Sequence, residues 1–89
     1  MTISNELKDK LINRLEQVVS GDGACELKHK NGTIEHLIVG CVNNNVFVYN
    51  DEPDLIRAFE VEGPGARAIN IADAAIWLYM RSFEEEITR

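Results

Sequence analysis

A mainly-β fold is the class predicted by the sequence: a small, closed, five-stranded barrel with an N-terminal α-helix and a short C-terminal helical tail. Three observations in the 89 residues predict it. Residues 4–19 repeat apolar side chains at helical spacing. Residues 24–50 hold three apolar, β-branched runs separated by Asn-rich turns. Residues 55–80 alternate around a Gly-Pro-Gly break and then run apolar to Met80. A chain this short makes one domain.

The helix comes first. Leu7, Leu11, Leu15 and Val18 form its stripe, widened by Ile12 and Val19. Ser4 is its N-cap and Gly21 its C′ residue. Glu6 and Lys10 make a favourable pair four residues apart.

The first strand spans residues 24–30 and the second residues 33–42. Between them, Asn31-Gly32 supplies the two positive-φ positions of a type I′ turn. That turn sets Lys28 opposite Glu35, Leu27 opposite His36 and His29 opposite Ile34. Cys25, Leu27, Ile34, Ile38 and Val42 then share the face that meets the helix, and Cys41 points away from Cys25. Leu37, Val39 and Cys41 make the other face apolar as well, as in an enclosed strand, and Gly40 offers a bend. The third strand is residues 46–49.

Asn50 to Asp54 is a loop. Residues 55–71 read as a second hairpin with Gly63-Pro64-Gly65 at its tip, although Asp54 as an N-cap and Leu55/Phe59 also suit a short helix. The run Ala75 to Met80 fits a buried fifth strand or a helix, since Ile76, Met80, Phe83 and Ile87 fall on one helical face. The strand, followed by a helical tail, is the expectation. Such a set of strands closes into a tight barrel.

Composition narrows function mainly by exclusion. Net charge is −6. Residues 1–45 carry five Lys or Arg against six Asp or Glu, and residues 46–89 four against nine. Gripping nucleic acid chiefly through phosphates needs the opposite balance, though Lys8, Lys10, Arg14, Lys28 and Lys30 concentrate in the first third. Two cysteines make no disulfide framework, and the start of the chain lacks a basic region followed by an apolar core, so a cytoplasmic location is expected.

No catalytic motif is visible, and an enzyme is not expected. Cys25, His29, His36 and Cys41 lack a knuckle spacing and do not converge, so no metal is expected. Both cysteines read as packed thiols rather than nucleophiles. Asp51-Glu52-Asp54 and Glu84-Glu85-Glu86 lack the spacing of a calcium loop and read as solvated charge. No cofactor is expected. The Asn43-Asn44-Asn45 tip has two readings, amides for base edges or ribose hydroxyls and simple turn formers.

Helix, meander, hairpin and final strand together resemble the Sm-like family (Sm, LSm and Hfq proteins) over about residues 7–50. Counted from Gly32, Val42 falls at the apolar position before the tip, Asn43 at the usual Asp, and Val46, Val48 and Tyr49 in the third strand. Ile71-Ala72-Asp73 stands where the second motif lies, without its basic residue. The family glycine of the bent strand falls on Leu37, the third-strand Asn on Phe47, and the residue that stacks on a base on Asn45. The resemblance implies an SH3-like barrel assembled into a homo-oligomeric ring by pairing of fourth and fifth strands. It implies single-stranded RNA at the pore, met by Asn43, Asn44, Asn45 and Asp73, with Lys8, Lys10 and Arg14 on phosphates. The altered pocket leaves a second expectation, a structural or adaptor ring that binds protein partners and has no RNA affinity.

Overall fold

The computed structural model describes residues 3–87, with side chains as far as Ser82. Its order is α1 (Asn5–Ser20), β1 (Ala24–Lys28), β2 (Ile34–Val42), β3 (Asn45–Asn50), β4 (Leu55–Phe59) and α2 (Ala66–Ile87). The strands form one antiparallel sheet in the order β1-β2-β3-β4. The helices supply the residues that close one face of it. The fold is therefore an open sheet under two helices, and the five-stranded closed barrel is overturned.

Helix α1 begins where its cap requires. The Ser4 hydroxyl accepts from the Leu7 N–H at 3.1 Å. At the other end the Gly21 N–H reaches the Gln17 and Val18 carbonyls. Gly21 itself is not left-handed. That role falls to Gly23, at φ +79°, whose N–H also bonds the Val18 carbonyl.

The first hairpin corrects the expected register. Of Asn31-Gly32 only Gly32 takes positive φ, at +92°. The Gly32 N–H bonds the His29 carbonyl, and the His29 N–H bonds the Thr33 carbonyl. The loop is thus one residue longer than a type I′ turn, in the manner of a type I turn closed by a glycine bulge. Lys28 pairs with Ile34, Leu27 with Glu35 and Cys25 with Leu37. A shift of one residue moves every side chain of a strand to the other face. Leu37, Val39 and Cys41 therefore join Cys25 and Leu27 under the helices, and Ile34, Ile38 and Val42 turn outward. The two cysteines share a face rather than opposing one another. The type I′ geometry appears instead at Asn43-Asn44, with φ of 50° and 71° and Val42 paired to Asn45. Pairing of β2 with β3 runs unbroken through Gly40, so no bend toward a barrel starts there.

Strand β4 ends at Phe59, and its register against β3 shifts between Val48 and Tyr49. The extra residue, Ile56, packs against the core alongside Phe59, while Leu55 falls beside Tyr49 on the outer side.

The expected hairpin over residues 55–71 and the expected fifth strand over 75–80 are both overturned by α2. Gly63-Pro64-Gly65 is the helix entry, with the Ala66 N–H on the Gly63 carbonyl and the Ile69 N–H on the Gly65 carbonyl. Five alanines between residues 66 and 75 favour the helix intrinsically. Ile71, Ala74, Ala75 and Leu78 give it a buried stripe. That stripe lies opposite the expected Ile76 and Met80 face, and the parts expected of Phe83, Glu84–Glu86 and Ile87 side chains lie outside the described residues.

The core is one cluster: Leu15 from α1, Leu37, Val39, Val46, Val48 and Phe59 from the sheet, and the α2 stripe. Trp77 meets Phe59 edge-on, with ring centres 6.0 Å apart. No described helix is long and apolar enough to cross a membrane.

Candidate functional site

With both helices on one face, the other face of the sheet is bare among the described residues. It is also apolar. Ile34 is 48% exposed, Ile38 44%, Val42 57% and Leu55 53%. Ala24, Ile38 and Tyr49 are cross-strand neighbours in one row, which Leu55 continues. Gly40, Phe47 and Ala58 make the next. Large exposed aliphatics around two aromatics are the composition of an interaction surface rather than of a solvated sheet face.

Charge on this face is sparse and balanced. Glu26 and His36 are cross-strand partners whose side chains meet at 3.1 Å, and Lys28 stands two residues along from Glu26. A shallow depression of about 390 Å³ runs beside Ala24, Glu26, His36, Ile38 and Asp51. It offers a partner side chain a place to seat.

The densest ionic cluster lies elsewhere and has a structural task. The Glu35 carboxylate accepts from Arg81 Nε at 2.9 Å and from an Arg81 terminal nitrogen at 2.7 Å. Buried His29 stands 3.2 Å away through Nε2, and its Nδ1 has no partner among the described residues. The Arg81 hydrogen bond, joined by the charges of Arg81 and His29, outweighs burial and holds Glu35 below the usual carboxylate range. This fork ties β2 to α2. Arg81 in turn lies 5.3 Å from the Trp77 ring centre.

Asn70 is a second polar clamp, and no local pattern in the sequence signals it. It is fully buried, at 0% exposure. Its Oδ1 accepts from the Val61 N–H at 3.0 Å, and its Nδ2 donates to the carbonyls of Asn44 at 2.8 Å and Val61 at 3.1 Å. One amide therefore pins the β2–β3 turn and the β4–α2 link to the same helix.

The residues the resemblance implied for RNA are dispersed. Asn43 and Asn44 form the turn, Asn45 is in β3, and the Asn44 carbonyl is occupied by Asn70. Asp73 is exposed on α2. Lys8 and Lys10 lie about 160° apart around α1 at roughly 100° per residue. Arg14 borders a groove with Lys28 instead of the Asn tip. The weighed metal set does not gather either. His36 is on the outer face, and among the described residues no three His, Cys, Asp or Glu side chains come together to hold a metal ion. Burial is the main influence on the Cys25 thiol and pushes it up, against a partial pull from Arg14, which is the reverse of activation.

Comparison of this chain with family models, with curated proteins and with solved structures returns no match.

Proposed function

We propose that this chain is a non-enzymatic protein-interaction domain of the cytoplasm, that its working surface is the outer face of the sheet, and that the occupant of that face is a second copy of the chain. The observation that carries this reading is the bare apolar block of Ile34, Ile38, Val42 and Leu55 around Phe47 and Tyr49. Sheet faces of this kind pack on one another about 10 Å apart, and a two-fold axis makes one patch complementary to itself.

Charge favours self-association over a charged partner. The chain carries −6, yet Glu26 and Lys28 offset each other on this face. A basic partner would be met by a concentrated acidic patch instead. Area sets the strength. Four strands about 4.8 Å apart, each about six residues at about 3.3 Å, give a flat footprint of about 400 Å² per copy. Doubled, about 800 Å² falls below stable specific interfaces and among weak, transient ones, so the dimer is reversible, with Kd of about micromolar order or weaker. Single-stranded RNA has less behind it, because its implied contacts are scattered and the net charge opposes phosphate.

Sedimentation equilibrium of the purified chain tests the proposal. Mass should rise from one copy to two across the micromolar range. Ile38→Glu should hold it at one copy with an unchanged far-ultraviolet circular dichroism spectrum. A chain that stays monomeric throughout, or an Ile38→Glu variant that dimerises as well as the parent, contradicts the proposal. Fluorescence anisotropy with labelled oligouridylate and oligoadenylate is the companion measurement: tight binding at low salt by a monomer would assign the chain to RNA instead.

A further inference from the structure

The apolar outer face of the sheet has an imidazole set into it. Strand alternation along β2 places His36 between Ile34 and Ile38 on the outward side. A second copy that covers those two aliphatics therefore covers His36 as well. In the single chain the side chains of His36 and Glu26 are open to water, at 58% and 64% exposure.

Carboxylates lie on both sides of this imidazole. On one side Glu26 of β1 is its cross-strand partner, with an oxygen 3.1 Å from Nδ1. On the other, β3 pairs Asn50 with Leu37, and Asp51, the next residue, borders the same depression as Glu26 and His36. Lys28, across from Ile34, is the cation of this part of the face. Glu35, beside His36 in the chain, lies on the helix side with Arg81. With His36 neutral, Glu26 and Asp51 stand against Lys28 alone and the group is net negative in each copy. With His36 protonated it is neutral.

We infer, resting on the self-association proposed above, that pairing of two copies through this face takes up protons at His36, so that the dimer is tighter in mild acid than above neutrality. Covering an ionised carboxylate costs free energy unless charge and hydrogen bonds compensate it. An imidazolium supplies both to Glu26, donating through Nδ1, and cancels the negative charge that Asp51 adds. In the free chain water solvates both groups, so the exposed pair gains little there. Coupling is reciprocal: what favours the proton in the dimer favours the dimer in acid. The strengthening is complete below the range in which imidazole titrates and is lost above it.

Sedimentation equilibrium of the whole chain at pH 8 and pH 6, at constant ionic strength, is the test. Kd should be about tenfold lower at pH 6, roughly threefold for each of the two His36–Glu26 pairs in a dimer. His36→Gln keeps a polar side chain without the charge, and its Kd should change by less than about twofold between the same pH values. His36→Lys carries a fixed charge, and its dimer should be as tight at pH 8 as at pH 6. Far-ultraviolet circular dichroism should be the same for each chain at both pH values. An equal Kd for the parent at pH 8 and pH 6 overturns the inference while leaving the dimer in place. So does a His36→Gln variant that follows the parent, which would assign the effect to overall charge, or a His36→Lys dimer that still tightens tenfold in acid. A chain that is monomeric at both pH values removes the self-association itself, and this inference with it.

Discussion

Asn70→Ala removes a side chain on which three backbone groups depend. The Val61 N–H, the Val61 carbonyl and the Asn44 carbonyl all lose their bond to the Asn70 amide. A buried polar group left unpaired costs about 1–3 kcal/mol. These three groups are only partly buried, so the lower part of that range applies, and the sum is about 3–4 kcal/mol. A domain this small has little more than that in total, about 5 kcal/mol. Urea unfolding followed by Trp77 fluorescence reads the loss. At a slope of about 1–1.5 kcal/mol per molar, the midpoint should fall by roughly 2–4 M with the slope unchanged. The protein is kept well below its dimerisation range, so that association does not enter. Asn70→Asp is the control. It keeps the acceptor for Val61 N–H but turns an ionised oxygen toward two carbonyls, so at neutral pH it should be at least as damaging as alanine. A midpoint shift for Asn70→Ala below about 0.5 M, or an Asn70→Asp variant close to the parent, would refute the clamp.

Three further outcomes follow from backbone and charge. Gly23→Ala places a Cβ 2.7 Å from the Val39 carbonyl oxygen at a φ of +79°, so chemical denaturation should show a loss of about 2–3 kcal/mol. At Asn44, φ 71°, alanine should cost about 1 kcal/mol and glycine should stabilise by a few tenths in the same assay. Glu35 has a folded-state pKa below its unfolded value, so its stabilisation is complete above about pH 4.3 and is lost as pH falls through the folded value. Thermal unfolding between pH 6 and pH 2 should therefore show a smaller acid loss for Glu35→Gln than for the parent, which starts from higher stability.

Much of the local structure was legible because local chemistry determines it. The Ser4 cap, the α1 stripe and the strands around Asn43-Asn44 obey short-range rules, and they are present. Asn31-Gly32 shows where such rules stop. The dipeptide is compatible with two loop lengths that differ by one residue, and the choice decides which half of β2 is core. Both halves are apolar, so burial alone could not decide it from sequence. The run Ala75 to Met80 was ambiguous for a related reason: continuous apolarity fits a strand buried on both sides or a helix with one stripe inside. The placement of Ile71, Ala74, Ala75 and Leu78 on the sheet settles it as helix. The clamps at Asn70 and Glu35 join residues up to 46 positions apart, and no spacing rule reaches that far.

Solvent paramagnetic relaxation, measured by nuclear magnetic resonance at two protein concentrations, addresses the outer face itself. In dilute solution the side-chain protons of Ile38, Val42 and Leu55 should relax strongly with a soluble paramagnetic agent, and those of Leu37 and Val39 should not. At concentrations above the dimerisation range the first group should become protected and the second should stay so. Protection of Ile38 and Val42 at every dilution would mean that the chain itself covers this face, and relaxation unchanged by concentration would mean that no second copy does.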